Sequence, residues 1–369
     1  MSASLPESLK KIDLWLLTTA IVLMGLGLIM VTSASSVVAD RIWQDSYFFA
    51  RKQFFFSLMG LAVLYLTFCF GYRRVVSRPY FWLGLTLFLL LLTVASPLGK
   101  EIRGARRWLD FFFFSFQPLE LAKIALIFYL ADFFSRKQEL VKTFSIGLLP
   151  PILITASLCC FLLLQPDFGG AVYLACLLFL LSFLGGARFV YLVALLLVFF
   201  LGAAMLIVFS SYRLDRLAFL DPFKDSHAAG YQLVQSLYAF GSGGWLGRGL
   251  GASKQKLFFL PDAHNDFIFS VLGEELGFLG VSFVFLLFGI LMWRVFLLAL
   301  RLPELKQKLL ATGMGLVLFL GGVLNMAVVL GAAPTKGIPM PFLSYGGTHL
   351  LICYFAFGIL LSLSKEVDR

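Results

Sequence analysis

Apolar runs of about 20 residues, the length that crosses a bilayer core, recur along this 369-residue chain. They fall at roughly 12–35, 53–71, 79–97, 117–134, 145–164, 168–184, 189–211, 267–297, 309–331 and 341–363. In lipid a helix satisfies its own backbone groups, so each run is predicted to be a helix. Hydrophobic residues make up 60% of the chain and charged ones 14%, with a mean hydropathy of +0.93; soluble domains carry about 25% charge. The expected fold is an all-α integral membrane protein of about ten transmembrane helices. It is read as a single polytopic domain over 1–369, with a large extracytoplasmic loop at about 212–266 between the seventh and eighth helices.

Lys10 and Lys11 precede the first run as in a signal peptide, but the run exceeds the about 7–15 residues of a cleaved apolar region, so it is read as a retained helix. Cys69, Cys159, Cys160, Cys176 and Cys353 all fall within apolar runs without zinc-ligand spacing, which suits packing residues. Placing both termini in the cytoplasm gives 15 basic residues inside and 14 outside. Setting aside the six in the long loop, which translocates regardless of charge, leaves 15 against 8. Four of those eight, Lys100, Arg103, Arg106 and Arg107, share one outer segment, and an anionic ligand is the simplest reason for them.

Polar groups concentrate in that segment and in the long loop, so surface chemistry at the outer face is expected. Within the loop, Tyr231, Val234 and Leu237 repeat at helical spacing before a glycine-rich stretch, which predicts a short amphipathic or re-entrant helix followed by a sharp bend. The loop ends Leu260-Pro261-Asp262-Ala263-His264-Asn265-Asp266 at the lip of a span, with Glu274 and Glu275 beyond. Asp266 is placed either to cap the following helix or to act as a general base toward a sugar hydroxyl.

Gly104-Ala105-Arg106-Arg107-Trp108, followed by the Phe111–Phe114 run, is either an aromatic belt with snorkelling arginines or a platform for a lipid-linked phosphate and a sugar face. Pro118 opens the fourth run, where Glu120 and Lys123 at i,i+3 can pair on one helix face. Ionisable residues within a span are costly, and so are functional candidates as well as structural ones. Asp167, in Gln165-Pro166-Asp167, is expected to cap a helix and is also a site candidate. Asn325 precedes a Gly/Pro-rich segment in which Lys336 can hold a phosphate and Ser344 lies in Leu343-Ser344-Tyr345-Gly346-Gly347.

These motifs together resemble the SEDS family (shape, elongation, division and sporulation proteins) over nearly the whole chain. The resemblance rests on Gly-Ala-Arg-Arg-Trp, Gln-Pro-x-Glu-Leu-Ala-Lys, Gln-Pro-Asp, Leu-Pro-Asp-Ala-His-x-Asp-Phe-Ile-Phe and the Leu-Ser-Tyr-Gly-Gly segment in order. Pro334-Thr335-Lys336-Gly337 and Gly273-Glu274-Glu275-Leu276-Gly277 look like the division branch. Two positions depart: Leu119 stands where many relatives carry Ser, and is expected to face lipid, and His349 stands where they carry a small residue.

The resemblance implies a peptidoglycan glycosyltransferase that polymerises lipid II on the outer face of a bacterial cytoplasmic (inner) membrane, at the division septum. Its expected partners are a class B penicillin-binding protein and other divisome membrane proteins, and no nucleic acid. Asp266 matches the family's catalytic Asp, Trp108 its functional Trp, and Glu120 with Lys123 its intramembrane pair. In the inverting transfer this implies, Asp266 takes the proton of the acceptor 4-hydroxyl, and Arg106, Arg107, Lys256 and Lys336 are the outward cations nominated for the leaving pyrophosphate. His264, Ser344 and Asp167 are further substrate-binding candidates. No ligand cluster demands a metal, although a divalent cation is compatible with the reaction. Two rivals stand beside this reading: a lipid II flippase and a non-catalytic divisome scaffold.

Overall fold

Helices follow the apolar runs, with ends set by prolines, glycines and polar caps. The computed structural model describes residues 13–102, 104–111, 114–208, 221–223, 230–334 and 336–367. Lys10, Lys11, Arg103, Phe112, Phe113, Thr335 and the first part of the long loop, including Tyr212, lie outside the described residues.

α1 spans Leu14–Trp43, opened by Asp13, whose carboxylate accepts from the Leu16 amide at 3.1 Å. It runs eight residues past its apolar run, where Ala39 is buried and Arg41 lies over the Phe258 ring at 4.6 Å, and Ser33 Oγ within it donates to Glu275. α2 (Phe48–Phe70), the one-turn α3 (Tyr72–Val75) and α4 (Pro79–Ala95) follow.

Next comes a departure from the all-α expectation. The 99–116 segment folds as a three-stranded antiparallel sheet of β1 (Gly99–Ile102), β2 (Ala105–Asp110) and β3 (Ser115–Phe116), in the order β1-β2-β3. Gly104, at φ +75°, supplies the left-handed residue of the β1–β2 turn. Opposite charges then meet across the strands, Arg106 directly opposite Glu101 at 3.4 Å and Lys100 reaching diagonally to Asp110 at 3.0 Å. Leu109 points inward, fully buried.

α5 (Pro118–Arg136) follows, then a π-helical turn (Phe144–Leu148) leading into α6 (Leu149–Leu164), α7 (Phe168–Leu184) and α8 (Phe189–Val208). α5 is the central helix, buried from Pro118 to Phe134 and packed against α4, α7 and α11 (Leu305–Val329). A helix enclosed on all sides by protein can keep an acid and a base that lipid would exclude. The long loop forms α9 (Tyr231–Gly243), as its helical spacing predicts, with Leu233, Val234, Ser236 and Ala239 turned inward against α10 (Ile268–Arg301).

α12 (Gly347–Ser364) closes the chain, packed mainly on α2. It starts six residues after its apolar run because Pro339, Pro341 and Gly346 hold that segment in turns. Six described helices are long and apolar enough to cross a membrane, while Pro79–Ala95, Phe168–Leu184 and Phe189–Gly202 are apolar but shorter.

α10 is broken near its start. Gly277 sits at φ +66°, and a Cβ there would overlap the Gly247 amide. The break frees helix carbonyls that loop amides recover: Arg248 N donates to Glu274 O and Gly249 N to Glu275 O, both at 3.0 Å. The two carboxylates organise the loop below. Glu274 accepts from Ser253 Oγ at 2.5 Å and from the Lys254 and Gln255 amides at 3.1 Å, and Glu275 from Ser33 Oγ at 2.6 Å and Lys256 Nζ at 2.9 Å.

Candidate active site

Five helices, α2, α5, α7, α10 and α12, begin at one end of the bundle, together with the β-sheet. Their first turns leave amide N–H groups pointing outward, so this end favours anions before any side chain is considered. The nominated residues divide into three groups around it.

Asp266, Asp167, Arg107 and Lys336 form the first. Asp167 caps α7, accepting from the Gly170 amide at 3.0 Å, as its sequence position predicts. Lys336 lies along Gly169 and brings its ammonium to 3.6 Å from Asp167 Oδ1. Arg107 reaches across from β2 to donate to the Pro166 carbonyl. Burial alone would raise the Asp167 carboxyl, but the adjoining Lys336 and Arg107 charges outweigh it and hold it below its usual range. Burial lowers the Lys336 ammonium, Asp167 opposes this and Arg107 reinforces it.

The neighbouring residue, Gly337, faces Asp266: a Cβ built on it would lie 2.5 Å from Asp266 Oδ2. Asp167 and Asp266 therefore flank one dipeptide. Asp266 stands one residue ahead of the position that opens α10. α10 starts at Ile268 after Phe267, with no side-chain cap bond, because the 262–267 segment turns on itself through Asn265 N and Phe267 N to the Asp262 carbonyl.

The second group fixes Asp266 through its backbone. Three consecutive carbonyls are gripped in turn. Tyr345 N donates to His264 O at 3.0 Å, Ser344 Oγ to Asn265 O at 2.6 Å, and Asn325 Nδ2 to Asp266 O at 2.7 Å, the same amide also reaching Ile338 O at 2.7 Å. Ser344 is thus a buried staple that also accepts from the Met340 amide. His264 packs on Phe49 with ring centroids 4.5 Å apart, and burial lowers its pKa despite Asp262 nearby.

The third group lies beneath the sheet. Lys123 Nζ is 2.7 Å from Glu120 Oε1, the pair its i,i+3 spacing predicts. His349 Nδ1 lies 3.1 Å from Glu120 Oε2, making His349 a third member that the sequence did not reveal. The Lys123 ammonium also sits over the Tyr173 ring at 4.9 Å.

Two nominated cations sit apart from this cluster. Lys256 was expected to face outward but is buried at 4% exposure, paired with Glu275 and Ser33; the α10 break brings that acid to it. Arg106 is exposed beside Glu101 on the sheet, and Trp108 is half-buried on β2 opposite Lys100. Leu119, expected to face lipid, is instead buried against Gly170, because α5 is enclosed on every side. Sequence reasoning assigned no role to Ser33, and named Asn325 without its task. Among the described residues, no three of His, Cys, Asp and Glu converge as metal ligands, and the five cysteines are free.

Fold and site define a polytopic helical membrane protein with a cluster of carboxylates and cations at one end of its helix bundle. The family model for cell cycle proteins of the FtsW, RodA and SpoVE type matches residues 13–369. The chain is 41% identical over 360 residues to the probable peptidoglycan glycosyltransferase FtsW of Trichlorobacter lovleyi, covering 97% of this chain and 94% of that one. It is 40% identical over 364 residues to the same-named protein of Geobacter sulfurreducens, covering 98% and 97%. Among solved structures, a chain from a peptidoglycan synthase complex that coordinates polymerisation and crosslinking superposes with a TM-score of 0.78 at 29% identity, over 96% of this chain and 97% of that one. The rod shape determining protein RodA of Thermus thermophilus superposes at 0.70 and 28% identity, over 97% and 98%. The chain belongs to the FtsW/RodA/SpoVE family, the SEDS proteins, and most resembles its division member.

Proposed function

We propose that the protein is a peptidoglycan glycosyltransferase that polymerises lipid II at the outer face of the cytoplasmic membrane during septal division. It works with a class B penicillin-binding protein, and about ten spans leave both termini in the cytoplasm. The observation that carries this reading is the placement of Asp266 beside Gly337, one residue from the Lys336–Asp167–Arg107 cluster. That pairing supplies the two things the transfer needs, a base for the acceptor and fixed positive charge for the departing group.

In the reaction, Asp266 accepts the proton of the acceptor sugar's 4-hydroxyl as its oxygen attacks the anomeric carbon of the donor with inversion. The anomeric bond to the undecaprenyl pyrophosphate breaks, and its electron pair leaves with the phosphate oxygen. Arg107, Lys336 and the helix N-termini stabilise that growing charge more in the transition state than before it. Asp167 restrains the two cations so that they are already in place. The names of the relatives, which refer to peptidoglycan glycosyltransferases, support the same chemistry.

Asp266→Asn keeps the residue's size and removes its basic oxygen. In polymerisation of purified lipid II with the cognate class B partner present, it is expected to cost roughly 100- to 10,000-fold. Rates near those of the parent would overturn the assignment of Asp266 as base. Lipid movement across vesicles without any polymer formed would instead favour a translocating protein.

A further inference from the structure

α2 starts at the site, where Phe49 meets His264 and Gln53 Nε2 donates to the Ser344 carbonyl, and runs for 23 residues, about 35 Å, to Phe70. Its far end is therefore about one hydrocarbon thickness from Asp266. There a groove of about 390 Å³ opens between α2 and α4. Leu66 and Phe70 form one wall and Phe81 the other, Phe355 of α12 contributes to the lining, and Arg74 and Arg78 belong to the turn that ends it.

The polar groups of that turn are committed elsewhere, except for two guanidinium groups. Ser77 Oγ donates to the Arg74 carbonyl and Trp82 Nε1 to the Val75 carbonyl. Arg73 pairs with Glu366 at 3.0 Å and with the Tyr72 hydroxyl, and Lys365 Nζ donates to the Phe68 carbonyl. Arg74 and Arg78, both exposed, form no ion pair among the described residues. Two uncommitted cations at the end of an apolar groove match a phosphate joined to an acyl chain. A soluble phosphate would leave the apolar walls uncovered, and a neutral lipid would leave the arginines without an anion.

We propose that this groove binds one anionic phospholipid of the leaflet opposite Asp266, its phosphate on Arg74 and Arg78 and one acyl chain between α2 and α4. The site is separate from the glycosyl-transfer machinery, because a lipid anchored there lies on the other side of the hydrocarbon core.

The test uses the full chain in phosphatidylcholine nanodiscs, with a small fraction of phosphatidylglycerol or phosphatidylcholine carrying a photoreactive acyl chain, and adducts mapped by peptide mass spectrometry. Adducts within 63–82 are expected to form about 30-fold more efficiently with the anionic probe, about fivefold for each cation near a charged headgroup. Arg74→Gln with Arg78→Gln is expected to bring the two probes to about equal yield. Leu66→Trp, which fills the groove and leaves the arginines intact, is expected to abolish the adducts while helicity is retained. Unlabelled phosphatidylglycerol should compete and inorganic phosphate should not. Equal labelling of the parent by both probes, persistence of adducts in Leu66→Trp, competition by inorganic phosphate, or stronger competition by a polyprenyl phosphate than by phosphatidylglycerol would each overturn the proposal.

Discussion

Replacing Gly337 by Ala tests whether Asp266 must sit where it does, by moving its carboxylate with a single methyl group. That methyl would lie 2.5 Å from Asp266 Oδ2 and 3.2 Å from its Cγ, whereas ordinary contact begins near 3.4 Å. The carboxylate must therefore retreat by about 3.4 − 2.5 = 0.9 Å, since its backbone is held by Asn325 and cannot follow. A misplacement of about 1 Å at a reacting group costs on the order of 100-fold in rate. Stability should change little. Gly337 is exposed and needs no left-handed backbone, so the about 0.4–1 kcal/mol gained by restricting the unfolded chain offsets the displacement of the carboxylate. The assay is single-turnover and steady-state polymerisation of lipid II with the class B partner, alongside thermal unfolding in the same detergent. Gly25→Ala, whose methyl would meet nothing within 4 Å, serves as the control with unchanged activity. Activity of Gly337→Ala within about threefold of the parent, at an unchanged melting temperature, would refute the reasoning, because the same methyl would then have been accommodated without cost to the base.

Lys256→Met leaves the fully buried Glu275 without its cation and is expected to cost about 3–5 kcal/mol in unfolding experiments, most of it recovered when Glu275→Leu is added. Gly277→Ala forces a side chain into a left-handed position against the Gly247 amide; a loss of about 1–3 kcal/mol is expected, with hydrogen-exchange protection falling at 247–249. Acid should destabilise the fold in two windows, seen in melting temperature against pH. Burial lowers His264 below its usual 6.5, so the unfolded chain takes up a proton that the folded one refuses, and stability falls as pH drops from about 6.5 through the lowered value. Asp167 is held below its usual 3.8, so its contribution is complete above that pH and is lost as pH falls through the folded value. His264→Gln should remove the first window and leave the second.

The membrane-spanning character was legible because hydropathy acts locally: any run of about 20 apolar residues excludes water, whatever its neighbours do. The Glu120–Lys123 pair was legible for the same reason, since i,i+3 spacing fixes two side chains on one face. The sheet at 99–116 was not, because its aromatic run reads equally well as a membrane belt. The signal was present in Gly104 with Glu101 and Arg106 placed to meet across a tight turn, but only strand pairing gives that spacing a meaning. Lys256 misled for a related reason. A lysine in a polar loop reads as solvated, and only the break at Gly277, which lets the loop fold onto α10 and receive Glu275, makes its burial affordable.

The same contrast explains why the residues around Asp266 alone left two readings open, a helix cap and a general base. Capping is a property of the residues next to a helix, and by that local rule an Asp ahead of an apolar run is a cap. Here the segment is shaped from outside, by Tyr345, Ser344 and Asn325 pulling on the carbonyls of His264, Asn265 and Asp266 in succession. Those donors come from parts of the chain 59 to 81 residues away, and Asn325 spends both of its bonds joining the Asp266 carbonyl to that of Ile338, one residue past Gly337. These bonds fix where the main chain presents the Asp266 side chain. Asn325→Asp tests that grip. With its amide N–H groups lost, Asp266 keeps its chemistry but loses its anchor, and polymerisation should fall on the order of 10- to 100-fold. If the rate were unchanged, the backbone grip would be incidental, and the side chain's own contacts would have to set the geometry.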